Sequence, residues 1–160
     1  MPGTPPLIFH MTLNGSLTSK QGCPDNCNSR EVLLFIGGYN ADVYDNRNLN
    51  FPVANPPDTG HGNAIYMVDP ETGDLLWSAG GGVHHSLELP VRDSVPETPV
   101  PVDNDADGAI DILFFSDIGG HVWRVDIGQS TNTGNNLSDL AIDGGMIADL
   151  NEQGQSLRFF

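Results

Sequence analysis

The chain has 160 residues, 21 acidic and 6 basic side chains, and a formal net charge of -15. That balance disfavours nucleic acid and anionic lipid surfaces, which need clustered Lys and Arg, and it attracts cations. The length allows one domain with a real core, and no apolar run approaches the length of a membrane span.

Glycine (19) and proline (12) interrupt nearly every stretch, so the sequence predicts short strands joined by many turns. Residues 1–6 lack the charged-then-apolar form of a signal peptide, which leaves either a cytosolic protein or a chain without its true N-terminus. Residues 7–13 alternate loosely and end at the turn pair Asn14-Gly15. Residues 16–30 are polar and read as a loop carrying Cys23 and Cys27 in Cys-Pro-Asp-Asn-Cys. This pair is too small for a structural zinc site and lacks the spacing of a two-cysteine redox motif. It forms either a local disulfide staple or two free thiols.

Residues 31–36 (EVLLFI) are a short apolar run stopped by Gly37-Gly38, predicted as a buried strand. Residues 40–61 read as loop. Residues 63–68 and 74–78 read as a hairpin around Asp69-Pro70-Glu71-Thr72-Gly73, where Pro presets φ early in the turn and Gly supplies positive φ late. Residues 80–101 form a Gly- and Pro-rich connector. A strand is predicted over 109–116 with apolar residues on both faces. After Asp117-Ile118-Gly119-Gly120 it returns over 121–127, with Trp123, Val125 and Ile127 on one face. Residues 129–139 are polar, and 146–150 and 157–160 predict two more short strands.

The stretch Gly62-Asn63-Ala64-Ile65-Tyr66-Met67-Val68-Asp69 is echoed by Gly119-Gly120-His121-Val122-Trp123-Arg124-Val125-Asp126 at an offset of 57. Two unrelated hairpins sharing strand chemistry would explain this; a repeat of short strands explains it better and points to propeller blades. Blades take roughly 40 to 50 residues, so about three fit, too few to close a ring. The expectation is therefore an all-β, partial β-propeller that forms part of a longer chain.

The densest chemistry lies in residues 103–111, where Asp103, Asp105, Asp107 and Asp111 occupy the first, third, fifth and ninth places. Calcium is a hard cation that takes roughly six to eight oxygen ligands. Alternate side chains of a tightly wound loop can converge on it. Gly108 permits the sharp turn, and the carbonyl of Ala109 offers a further oxygen. An EF-hand would place a bidentate acid at the twelfth position, here Phe114, between helices; this is the shorter relative that caps a β-hairpin. The predicted metal ligands are Asp103, Asp105, Asp107, Ala109 and Asp111, with calcium preferred over magnesium, which retains more water.

These residues carry a resemblance to a known family. Val32-Leu33-Leu34-Phe35-Ile36-Gly37-Gly38-Tyr39-Asn40, the 62–69 stretch with Thr72-Gly73 and Leu76-Trp77, His85-Ser86 with Pro90, and the acidic loop running on to Asp126 follow in order. Together with Leu157-Arg158-Phe159-Phe160 they resemble the C-terminal, quinoprotein-like propeller of PilY-type type IV pilus biogenesis factors, the pilus tip-associated adhesins. The likeness runs from about residue 31 to the end. It departs at Asn40, where that family usually has Asp, and in the Cys23–Cys27 loop, which has no counterpart there.

The resemblance implies an extracytoplasmic protein at the cell surface or pilus tip. It implies minor pilins or the tip complex as partners, a host or abiotic surface as target, and calcium linked to pilus extension, attachment and twitching motility. It also implies that a signal peptide and a variable N-terminal region are missing here.

Two other classes share parts of the pattern. A pyrroloquinoline-quinone dehydrogenase blade carries the hairpin Asp69, Thr72, Gly73, Trp77, but a cofactor pocket with its base is not legible. An integrin-like adhesion domain would repeat the acidic loop in each blade, and here it occurs once. The adjacent His84 and His85 would face opposite ways on a strand, and His10, His61 and His121 are scattered. Ser, His and Asp are present without a Gly-x-Ser-x-Gly elbow, and Gly80-Gly81-Gly82 lacks the Lys and helix of a phosphate loop. The sequence predicts no catalysis.

Overall fold

Short runs of β-branched, aromatic and leucine residues between turn formers set the architecture. The computed structural model describes residues 6–12, 29–39, 62–82, 84–106, 108–128, 137, 140 and 143–150. Among them are nine strands and no helix: β1 (Leu7–Thr12), β2 (Ser29–Ile36), β3 (Ala64–Val68), β4 (Leu75–Gly80), β5 (Leu87–Glu88), β6 (Val100–Val102), β7 (Ile112–Ser116), β8 (His121–Asp126) and β9 (Asp143–Asp149). They form a sheet ordered β1-β2-β3-β4-β5 and a second ordered β6-β7-β8-β9. Every pairing is antiparallel except the short parallel contact of β5 with β4. No helix among the described residues is long and apolar enough to cross a membrane.

The β3–β4 turn follows its local chemistry. Asp69 Oδ1 accepts hydrogen bonds from the amides of Glu71 (2.8 Å) and Thr72 (3.1 Å), and the Gly73 amide donates to the Asp69 carbonyl. Gly73 has φ 79°, the left-handed conformation predicted for it.

The two sheets share one apolar core. Sheet one contributes Val32, Leu34, Ile65 and Met67, and sheet two contributes Leu113, Phe115, Trp123 and Val125, all essentially buried. Leu87 of β5 meets Gly144 of β9, where an added Cβ would come within 3.2 Å of Leu87 Cδ2. Fully burying each such side chain stabilises by roughly 1.5–3 kcal/mol.

The connector over residues 80–101 is more than a linker. It contains β5 and the start of β6, and it buries Leu89, Val91 and Val95 in the core. It also fastens the sheets through backbone bonds. The Val95 amide donates to the Gly62 carbonyl (2.7 Å), the Gly38 amide to the Val95 carbonyl (3.1 Å), and the Ile118 amide to the Ser94 carbonyl (3.0 Å). Proline at 90, 96 and 99 keeps this segment out of a regular ladder. Later in the chain, the Leu137 amide donates to the Leu76 carbonyl, and Leu137 and Leu140 join the core.

Two expectations change. Residues 31–36 are not wholly buried: Val32 and Leu34 face the core, while Phe35, on the other side of β2, is 38% exposed. The strand predicted over 109–116 starts at Ile112, because the acidic loop occupies the residues before it. The described residues give one five-stranded and one four-stranded sheet, neither closed nor curled into a ring. The strand predicted at 157–160 and the cysteine loop lie outside the described residues.

The internal echo is structural. β3 and β8 are each third in their sheets, and each pairs with its predecessor in the same register. Leu33 stands opposite Val68 and Phe35 opposite Tyr66, as Leu113 stands opposite Val125 and Phe115 opposite Trp123.

At the ends of β2 and β3 the backbones nearly touch. A Cβ on Gly37 would fall 2.6 Å from Gly62 Cα and carbonyl C, with no flexible side chain to give way. Gly37→Ala is expected to lower stability by about 1–3 kcal/mol in urea unfolding; an unchanged midpoint would mean that this approach is looser than described.

Candidate metal centre

The acidic loop is the tip of the β6–β7 hairpin. Val102 pairs with Ile112, and the Asp111 amide donates to the Val102 carbonyl at 2.9 Å, closing the loop at its base. Within it, Ala106 (φ 63°) and Gly108 (φ 95°) take left-handed backbone conformations. Gly108 does so without steric cost, whereas Ala106 does so at some cost.

This winding folds the acidic residues back on one another. The Gly108 amide donates to Asp103 Oδ2 (2.9 Å), and the Asn104 amide donates to Asp111 Oδ2 (2.6 Å). Asp103, Asp105 and Asp111 each bring a carboxylate oxygen within 4.8 Å of the others. Asp105 is exposed, and Asp103 and Asp111 are half-buried. Three of the five predicted ligands are thus together. Ala109 is buried, and Asp107 lies outside the described residues.

Two carboxylates at such a separation repel by on the order of 1 kcal/mol even in water-like surroundings. A divalent cation turns that repulsion into attraction. An all-oxygen donor set suits hard cations such as calcium and suits zinc, which favours His and Cys, poorly.

A second grouping was not anticipated. Asp93, Asp117 and His121 also bring ligand-type atoms within 4.8 Å of one another. Asp117 is buried, and its oxygens are already engaged. Oδ1 accepts from the amides of Gly119 (2.9 Å) and His121 (3.1 Å), Oδ2 accepts from Trp123 Nε1 (2.9 Å), and His121 Nδ1 lies 3.0 Å from both oxygens. This is a hydrogen-bonded hub that locks the β7–β8 turn to the core tryptophan. The signal for it was the spacing of Asp117 and His121 across a Gly-Gly turn; Asp93 arrives from the connector and left no local sign.

Ser78 and His85, which the sequence did not bring together, are also neighbours. His85 Nδ1 lies 3.1 Å from Ser78 Oγ, and the Tyr66 ring centroid is 6.0 Å from that of His85. Ser78 is only 3% exposed, so its hydroxyl fixes the His85 loop against β4 and offers no open nucleophile. Burial, reinforced by neighbouring His84, holds the His85 imidazole below its usual pKa, against a hydrogen bond to the Gly81 backbone.

No known protein family matches the sequence, and neither a curated protein nor a solved structure is significantly similar to the chain.

Burial pushes the Asp117 carboxyl above the usual carboxylate range, outweighing the hydrogen bonds from Trp123 and His121 that favour its ionised form. The folded state therefore binds this proton more tightly than the unfolded chain does. The resulting stability is fully present below the ordinary value of 3.8 and is lost as pH rises through the raised folded value. Asp117→Asn removes that slope and sets an amide against donors. Urea unfolding at neutral pH is expected to show a loss of about 1–3 kcal/mol. The wild-type-minus-variant difference should vary across the acidic range, and a difference independent of pH would contradict the role given to burial.

Proposed function

We propose that the chain is a calcium-binding segment of a quinoprotein-like β-propeller. We further propose that it belongs to a PilY-type type IV pilus biogenesis factor at the extracytoplasmic surface or pilus tip. In this reading it works with minor pilins or the tip complex and supports pilus extension, attachment to host or abiotic surfaces, and twitching motility. It is a brace and binding surface, not an enzyme. The propeller assignment draws support from two sheets in matching register sharing one core, and the family assignment from the ordered sequence motifs.

The observation that carries the metal reading is the position of Asp111. Its side chain belongs to the carboxylate triad and accepts the Asn104 amide. Its own amide donates to Val102 at the end of β6, and its carbonyl accepts the Ile127 amide (2.7 Å) just beyond β8. One residue thus joins the acidic loop to three neighbouring strands. Asp103, Asp105 and Asp111 would hold the ion, with Asp107 and the Ala109 carbonyl as further ligands predicted from the sequence. Calcium would supply positive charge to the triad. The chain's part is to hold Asp111 in place, so that ordering the loop also orders the β6–β7–β8 edge.

Calcium at about one hundred times Kd should stabilise the fold by roughly 2.7 kcal/mol, several degrees in Tm. Asp111→Asn is expected to weaken calcium binding at least tenfold by calorimetry and to abolish the calcium-dependent rise in Tm. In the parent bacterium, the same substitution should shrink twitching zones. Unchanged calcium uptake by the variant would overturn the metal reading; normal twitching with lost calcium binding would overturn the link between the ion and the pilus.

A further inference from the structure

The two halves of the repeat match in backbone and differ at one edge. β4 and β9 are the fourth strands of their sheets and hold the same register at their ends. Ile65 pairs with Ala79 and Ala64 with Gly80, as Val122 pairs with Ala148 and His121 with Asp149. The next residues match as well: the Gly81 amide donates to the Asn63 carbonyl, and the Leu150 amide to the Gly120 carbonyl. Their burial does not match. β4 is buried from Leu76 to Gly80, whereas Met146 and Ile147 of β9 are 50% and 55% exposed, and Leu150 just beyond is 45% exposed.

What sets β4 apart is the stretch that follows it. After residues 81–86 the chain turns back and lays β5 parallel to the end of β4, with Leu87 beside Ala79 and Glu88 beside Gly80. The Leu89 amide then donates to the Gly80 carbonyl (2.9 Å), and Leu89 is buried in the core. A short backfold thus covers a strand edge that would otherwise invite pairing with other chains.

The residues after β9 repeat the pattern of that backfold. Ser86-Leu87-Glu88-Leu89 is matched by Ser156-Leu157-Arg158-Phe159. The intervening stretch, 150–156, is one residue longer than 81–86. The single change of charge suits the second edge. Glu88 lies beside Gly80, and the equivalent register sets Arg158 beside Asp149. Opposite charges side by side on neighbouring strands attract.

We propose that the outer edge of β9 is the docking site of the chain's own segment Leu157–Phe159. It adds parallel to β9 as β5 adds to β4, with Leu157 beside Ala148 and Arg158 beside Asp149. The Phe159 amide donates to the Asp149 carbonyl, in the place of the Leu89 bond. This gives sheet two the fifth strand that sheet one has. It rests on strand register and the sequence echo, and on neither calcium nor the pilus assignment.

The test uses the whole chain, with amide exchange and nuclear Overhauser contacts read residue by residue. The Phe159 amide should exchange about a hundredfold more slowly than in a free peptide of residues 151–160, and Ala148 should show Overhauser contacts to Leu157. Arg158→Glu sets like charges side by side and should lower the Phe159 protection roughly tenfold. Adding Asp149→Arg to that variant should restore it. Asp149 Oδ1 also lies 3.9 Å from His121 Nε2, so Phe159→Ser provides a second variant that leaves that contact alone. It should release the amides of 157–159 while β8 keeps its protection.

A Phe159 amide that exchanges at the free-peptide rate would overturn the proposal. So would Overhauser contacts from β9 to another segment, as expected if a strand from elsewhere in a longer polypeptide covers this edge. Phe159 protection that both Arg158→Glu and Phe159→Ser leave unchanged would overturn it as well.

Discussion

The stacking of one apolar sheet face on another is the interaction on which the rest of the structure depends. Trp123 and Phe115 on one side and Met67 and Leu34 on the other are almost completely excluded from water. None of these strands exceeds eight residues, and an isolated hairpin of that size is marginal in water. Burial in a common core lets each sheet persist, and it fixes register as well. A slip of one residue would turn Trp123 and Val125 outward and bring Arg124 into the core.

The polar features are arranged around that core. Asp117 holds the indole N–H of Trp123 while capping the β7–β8 turn, so the largest side chain of sheet two is positioned by a buried carboxylate. Ser94 and Val95 tie the ends of β2, β3 and β7 together through backbone bonds. Asp111 joins the acidic loop to β6 and to the end of β8. A charge change at the loop therefore has a short mechanical route to the stacked sheets, through one residue whose backbone and side chain are both committed.

Features with local causes were legible in the sequence. The 69–73 turn follows from an Asp that caps its own following amides and a Gly at positive φ. The acidic loop is legible from the alternation of Asp103, Asp105 and Asp107 before Gly108, and three of its carboxylates converge. Strand β6 was missed because it is three residues long and contains Pro101. Proline is tolerated there because β6 is an edge strand, a fact that only the pairing reveals. The connector that fastens the sheets was missed because its partners, Gly62, Gly38 and Ile118, lie far away in the chain. In the Asp117 grouping only Asp93 comes from elsewhere in the chain, whereas Ser78 and His85 are seven residues apart and meet because the loop after β4 folds back on that strand. The exposed face of β2 was misjudged because an apolar run looks the same whether one side or both sides are covered.

The account's central claim is that two repeat-like sheets form one cooperative unit through their shared core. Native-state hydrogen exchange of the central strands tests it most directly, since exchange resolves the free energy of opening for each segment. The slowest amides of β3 and β8 are predicted to exchange through a single opening with one common free energy. Two distinct free energies, with β8 opening while β3 stays protected, would contradict the claim.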